Sequence, residues 1–513
     1  MREKNCTQSL SRLQCAMSLK KYRLWDPDQV FLFPPAMRDW LEEDHLVYRL
    51  LDVVDALDIR SVSHSIHAVD ARGTRPYNPR MMLALLFYSY SSGIYSSREI
   101  AAATRERVDF RVLTGDQHPH HTVVNEFRLR HLDALPELFV QVLKVCDRAG
   151  LIKLEHVSLD GSKVKANASK HKAMSHGRME SEVERLEGEI QELLSRAEAV
   201  DAEEDARYGK GQEAHPISEE LKCRERRLEA IRKAKAELEE EARRAKANEL
   251  RERAERQHKA AETEEDPTER KRKLTRAQRS DEKADRLAGK ESEGEDSDEP
   301  DDPDDDLPSH RVPTTRDGSP TSKAQRNFSD PDSRIMKRDG SYLQGYNCQI
   351  VADEANQIIL AEGVTNQAPD QEHLIPMMDR VKSNTGYSPV TLTADTGYMS
   401  SDNVAHCEDE GIDAYIAVGR DKHGRDSAAE QDSIEGESEA WADMRSKLTT
   451  EEGKRLYSRR KVIVEPVFGQ VKEARGFRHF SLRGLLKVRR EWTLVCLCHN
   501  LMKVLTAKPA AAG

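Results

Sequence analysis

The sequence predicts a mixed α/β domain, interrupted by a long helical insertion and preceded by an all-α domain. Three observations carry this. Residues 26–150 repeat apolar side chains at helical spacing. From Glu155 onward, short apolar runs of strand length alternate with helical stretches. Between about Lys170 and Asn327 the chain is highly charged, and its few apolar residues recur as a helical seam.

In the all-α region, "MRDWLEEDHLVYRLLDVVDAL" has helical periodicity. "NPRMMLALLFYSYSSGI" starts at an Asn cap with Pro79 in the first turn and is apolar nearly all round, which predicts a buried helix. "SSREIAAATRERVDFRVLTG" reads as one helix ending at Gly115. "HHTVVNEFRLRHLDALPELFVQVLKVCDRAG" reads as two more, the second ending at Gly150. The SSREI and TVVNEFRLR helices have the order of a helix-turn-helix, an arrangement that serves DNA contact or plain packing.

The first strand is expected in "EHVSLDGSKVKANAS". "GYNCQIVADEANQIILAEGVTN" reads as a hairpin around "DEANQ". A helix in "DQEHLIPMMDRVKSN", a strand in "SPVTLTADTGYMS", a capped helix in "SSDNVAHCEDEG" and a strand in "IDAYIAVG" follow. A polar stretch from Arg420 to Gly453 precedes "KRLYSRRKVIVEPVFGQVKEARGFRHF".

The insertion has three parts. Met179, Val183, Leu186, Ile190, Leu193 and Ala197 form one seam, and Ile217, Leu221, Leu228, Ile231, Leu238 and Ala242 form a gappier second one. The loop between them suggests an antiparallel hairpin at about 178–260, with a seam shared between subunits as the alternative. The third part, at about 285–324, contains "ESEGEDSDEPDDPDDD" and is expected to be disordered.

The 513 residues allow two to four domains. No run of about 18 apolar residues occurs, and the amino-terminal stretch lacks the apolar core of a secretory signal. Both point to the cytosol and away from a membrane. The eight cysteines include no CxxC pair, and "CLCHN" lies in an apolar run, so reduced core thiols are expected rather than zinc ligands. The net charge of −11 disfavours a polyanionic partner, but its distribution does not. Lys454–Arg490 holds twelve bases against two acids, and Glu291–Asp306 holds eleven acids and no base. A polyanion responds to the local field.

Asp160 and Asp395 each end an apolar strand pattern, and carboxylates at strand ends converge in open α/β sheets. Glu465 precedes Pro466 in a first helical turn, and Lys472 lies two turns further on the same face. Three hard carboxylates in a basic setting suit two Mg²⁺ ions (Mn²⁺ able to substitute) acting on phosphodiesters. Lys163 and Lys165, beside Asp160, are expected to face solvent.

Four ordered blocks resemble the DDE transposases of bacterial insertion sequences, in particular the insertion sequence 1182 group. They are "VSLDGSKVKANAS", "SDPDSRIMK" followed by "GYNCQIVAD", "TADTGYMS", and "YSRRKVIVEPVFGQVKEARGFRHFSLRG". The resemblance implies an RNase H-like catalytic domain over 151–170 and 325–505, with Asp160, Asp395 and Glu465 as metal-binding catalytic acids. It also implies DNA-binding roles for Tyr457, Arg460 and Lys472. One spacing departs from the family pattern: four residues separate Arg460 from Glu465 where three are usual, and Lys461 would restore the count. A helical DNA-binding or assembly domain at 26–150, an insertion at 171–324 and tails at 1–25 and 506–513 complete the division. The implied function is Mg²⁺-dependent cleavage of terminal inverted repeats and strand transfer into duplex target DNA. The implied assembly is a homodimer or larger, working in the cytoplasm at the nucleoid. The alternatives are a nuclease of the same fold without transfer, and a catalytically silent DNA-binding protein. The acidic run could screen basic surface from non-specific DNA.

Overall fold

The computed structural model describes residues 23–26, 36–67, 75–208, 219–288, 307–338, 340–419 and 439–507. The acidic run 291–306 and most of the loop between the two seams lie outside these residues.

Among the described residues, seven α-helices make the amino-terminal part: α1 (Leu46–Ala56), α2 (Arg60–His67), α3 (Pro79–Ser91), α4 (Ser97–Glu106), α5 (Val108–Thr114), α6 (His121–Arg130) and α7 (Leu135–Arg148). Helix α3 begins as its sequence predicts, with the Asn78 side chain accepting from the Arg80 N–H and Pro79 in the first turn. The single helix expected over 96–115 is two. Arg107 is extended, and the break redirects Phe110, Val112 and Leu113 into the core, where one straight helix would scatter them round its axis. Helix α5 therefore stands between the two members of the expected helix-turn-helix.

The strands are β1 (His156–Lys165), β2 (Ala173–Ser175), β3 (Gln325–Asn327), β4 (Arg334–Arg338), β5 (Ser341–Asp353), β6 (Ile359–Thr365), β7 (Thr391–Ala394) and β8 (Asp413–Ile416). Strand β5 is antiparallel to β1 on one edge and to β4 and β6 on the other. Strand β1 is parallel to β7, and β7 to β8. Four strands joined by antiparallel pairing (β4 and β6 on β5, and β5 on β1), followed by two parallel ones, form the six-stranded RNase H-like mixed sheet that the resemblance implies.

Strands β2 and β3 pair antiparallel, Ala173 opposite Asn327, and form a neck where the insertion leaves and re-enters the domain. Beyond it, α8 (His176–Tyr208) and α9 (Glu219–Glu262) run antiparallel. The ion pairs Glu180–Lys235, Glu187–Arg232 and Glu189–Arg224 show the direction, one number rising as the other falls. Met179 and Leu186 are covered by Leu228, Ile231 and Ala234 of the same chain, so the seam closes within one chain. A third helix, α10 (Pro267–Ala288), packs along α9. Residues 307–324, placed by the sequence reading in a disordered tract, are instead docked. Leu307 joins the main core, while Val312 and Ala324 cover Leu238 and Ala242.

The remaining helices are α11 (Leu374–Thr385), α12 (Ser401–Asp409), α13 (Glu439–Thr449), α14 (Glu451–Ile463), α15 (Glu465–Gly469) and α16 (Leu485–Thr506). Helix α13 lies inside the stretch read as polar linker and buries Met444. Cys496 and Cys498 are buried thiols of α16, as expected. No described helix is long and apolar enough to cross a membrane.

Helix α16 packs against β6 on one side and α3 and α7 on the other, which merges the helical and sheet regions into one core. Its Glu491 is 1% exposed. The carboxylate accepts from the Ser481 and Leu482 N–H groups at 2.9 Å each. It also faces Tyr90, whose hydroxyl accepts from Arg128 at 2.9 Å. Burial pushes the Glu491 carboxyl above its ordinary range, opposed by the two N–H groups and Arg128. Glu491→Ala should cost about 3 kcal/mol, because buried donors lose their acceptor. Glu491→Gln, which keeps one acceptor oxygen, should cost less. Denaturant midpoints of the full chain measure both.

Candidate active site

Asp160 does not end its strand. Strand β1 continues to Lys165, paired with Gly345 of β5. What ends is its parallel pairing with β7, whose last partners are Leu159 and Ala394. The next residue of each chain segment is an acid, Asp160 and Asp395, so the two stand side by side where β7 leaves β1, while Asp160 stays paired with Ile350 of β5. Asp395 then caps a short 3₁₀ turn, its Oδ1 accepting from the Gly397 N–H at 2.8 Å.

Helix α14 crosses this end of the sheet and brings the cation. Arg460 Nη1 lies 3.4 Å from Asp160 Oδ2, and Nη2 lies 3.6 Å from Glu465 Oε1. The Arg460 side chain is 15% exposed and that of Asp160 17%, whereas Glu465, at the start of α15, is 50% exposed. Lys461 is exposed, so of the two bases at this spacing it is Arg460 that faces the acids. Tyr457, one turn earlier on α14, lies near Arg460. After α15 the helix widens into a π turn, Gln470–Ala474. There Lys472 Nζ donates to Ser162 Oγ, two residues beyond Asp160 and on the same face of β1.

Burial pushes the Asp160 carboxyl up to about 7, the charges of Asp395 and Asp370 push the same way, and Arg460 opposes them. Asp370 was not singled out from the sequence. It precedes a 3₁₀ turn, Gln371–His373, and α11, where an Asp reads as a cap, yet its side chain makes no cap hydrogen bond. It turns to the sheet and accepts from Asn347 at 2.6 Å, Gln349 at 2.8 Å and Lys163 at 3.0 Å. Lys163 is therefore an ion-pair partner and does not face solvent as expected, whereas Lys165 is exposed. Gly161 makes room for this group. A Cβ there would run into the Gln349 amide and stand 2.9 Å from Asp370 Oδ1. Tyr398 donates to the other end of the same amide, at Gln349 Oε1.

Asp160, Asp395 and Glu465 offer hard oxygen donors, the type that Mg²⁺ selects, whereas the Asp370 carboxylate is taken up by Asn347, Gln349 and Lys163. The upward shift of Asp160 shows a buried carboxyl short of positive charge, which fits a cation position. Among the described residues no three such side chains stand as an assembled metal cage. Arg460 lies between Asp160 and Glu465 and holds their charges apart. A surface cleft of about 830 Å³ lies elsewhere, between the start of α4 and the length of α6, with Arg98, His121, Glu126 and Arg130 in its lining. It shares no lining residue with the acids, and its Arg130 is paired with Glu126.

Residues 309–501 match the family model described as the transposase DDE domain, and residues 35–130 match that of a transposase domain (DUF772). The chain belongs to the DDE transposases. No curated protein and no solved structure matches it. Asp160 lies outside both matched segments, and the fold brings it to Asp395 through β1 and β7. The insertion, including α8, α9 and α10, also lies outside them.

The placement of Arg460 yields a direct test. Arg460→Ala leaves a buried carboxylate without its cation and should cost about 3 kcal/mol in the metal-free protein. Lys461→Ala, at an exposed position, should stay within about 0.5 kcal/mol. Thermal or denaturant unfolding without divalent metal separates the two.

Proposed function

We propose that this transposase cuts DNA at the ends of its own element and joins the freed ends to target DNA, with Asp160, Asp395 and Glu465 as its catalytic acids. The observation that carries the reading is the parting of β1 and β7 directly before Asp160 and Asp395. It sets two acids of distant sequence together beside α14, α15 and the π turn, which carry Arg460, Glu465 and Lys472 in turn.

In the first step, water attacks a phosphorus at the element's end. The bond from phosphorus to the 3′-oxygen breaks and leaves a 3′-hydroxyl and a 5′-phosphate. In the second, that 3′-oxygen attacks a target phosphodiester and displaces a target 3′-oxygen. Neither step forms a bond to the protein, so Tyr457 and Ser162 need not be nucleophiles. Mg²⁺, held by the three acids, would supply Lewis-acid charge to the attacking and leaving oxygens. Arg460 fixes the carboxylates of Asp160 and Glu465, and its fork also suits a DNA phosphate. Lys472 presents a point charge along β1, and Tyr457 contacts DNA beside it. Asp370 acts by positioning: with Gln349 and Lys163 it supports the backbone at Gly161 and adds negative field at Asp160. Two ends must be processed together, which calls for a dimer or larger assembly on DNA.

The experiment is cleavage of a labelled duplex carrying the terminal inverted repeats, with Mg²⁺ and target DNA. Asp160→Asn, Asp395→Asn and Glu465→Gln should each lower cleavage by at least about 10³-fold, a loss of roughly 4 kcal/mol in transition-state stabilisation, with duplex affinity kept. Cleavage near the wild-type rate in any one removes that residue from the triad. Cleaved ends without joined product would make the protein a nuclease.

A further inference from the structure

Helix α10 buries Ala277 and Ala284 toward the rest of the insertion. On its opposite side Arg272, Arg276, Arg279, Lys283 and Arg286 recur at steps of four, three, four and three, which keeps them on one face. All five are exposed. The stripe is about 21 Å long at the helical rise of 1.5 Å per residue.

Solvated faces of the neighbouring helices look different. There bases are interleaved with acids that neutralise them, as where Arg185 pairs with Glu182 and Glu189, and Arg244 with Glu240. On α10, Arg270–Arg279 contains six bases and no acid. Glu269 meets Arg272 at the start of the helix, and the Lys283 ammonium donates to the Arg316 carbonyl at 2.8 Å. Glu282 flanks the stripe without pairing to it. Among the described residues no ion pair engages Arg276, Arg279 or Arg286.

We propose that this stripe binds the backbone of duplex DNA, as a contact surface separate from the acids. It rests on the transposase reading only in taking DNA as the partner. Over about 21 Å a duplex presents roughly a dozen phosphates, one per 1.7 Å of axis. A straight row of cations matches such a row of charge. Four of the five are arginines, whose forked donors hold phosphate oxygens bidentately. Such contacts position DNA without reading its sequence.

The test uses the full chain and a labelled duplex without inverted-repeat sequence, with affinity measured by fluorescence anisotropy across a NaCl series. Arg276→Gln, Arg279→Gln and Arg286→Gln combined should weaken binding by about tenfold or more at low salt. They should also make the slope of log affinity against log salt shallower by roughly 3, near 0.9 per lost phosphate contact. The matching triple Lys variant keeps the charge and should restore most of the slope, which separates lost charge from misfolding. An unchanged slope in the Gln variant overturns the proposal. So does an unchanged slope accompanied by lost binding to polyglutamate, which would assign the stripe to an acidic protein segment. Failure of the transposase reading looks different: wild-type chain would bind duplex with the steep slope yet leave inverted repeats uncut.

Discussion

The site depends on four residue pairs, His156–Thr391 to Leu159–Ala394, that zip β1 to β7. A parallel pair cannot be closed by a tight turn, so its two strands come from distant parts of the chain and need a crossover. The same four pairs set the register. A slip of one residue would turn Asp160 or Asp395 to the opposite face of the sheet. The antiparallel pairing of β1 with β5, which runs on to Lys165, holds β1 straight past the point where β7 departs. One edge of the strand is thus firmly held while the other opens at the acids.

Two further devices protect that register. The β2–β3 neck keeps the insertion's ends paired, so the helices beyond it do not pull on β1. Gly161 lets Gln349 and Asp370 approach the strand at the residue after Asp160. On the other face, Lys472 is tied to Ser162. Strand β1 is gripped on both faces by polar contacts, an arrangement that trades apolar burial for orientation.

The order of strands and helices along the chain, the capped and buried α3, the hairpin of β5 and β6 and the helical seams were legible because each has a strong local signal: alternation, a cap with proline, or a heptad; which strands pair, and whether the seams close within one chain, were not. Asp160 and Asp395 stood out as residues ending apolar runs and Glu465 as one preceding a proline in a first helical turn, and the roles proposed for them came from the family resemblance. What was missed had weak local signals. Helix α10 buries only alanines, which barely register as apolar periodicity. Helix α13 buries one Met444 amid polar residues. The docking of 307–324 depends on Leu307 and Val312 finding partners far along the chain. Asp370 imitates a helix cap in sequence, and only tertiary contacts turn it to the sheet. The extended Arg107 is likewise a tertiary effect, since nothing in "TRERVDF" stops a helix. Asp160 was read as a strand end because its apolar run stops there, whereas the ladder with β5 continues through a polar segment.

Helix α16 covers both α3 and α7 on one side and β6 on the other, and it follows every other described element in chain order. On the ribosome, all eight strands and the amino-terminal helices therefore emerge before the segment that joins them. Until it arrives, the apolar faces of α3, α7 and β6 have no cover and are exposed to chaperones or to aggregation. Glu465 and Lys472 also emerge late, just ahead of α16. Synthesis order thus acts as a timer on assembly: the half-made chain has its sheet but neither its full set of acids nor the helix that locks the domains together.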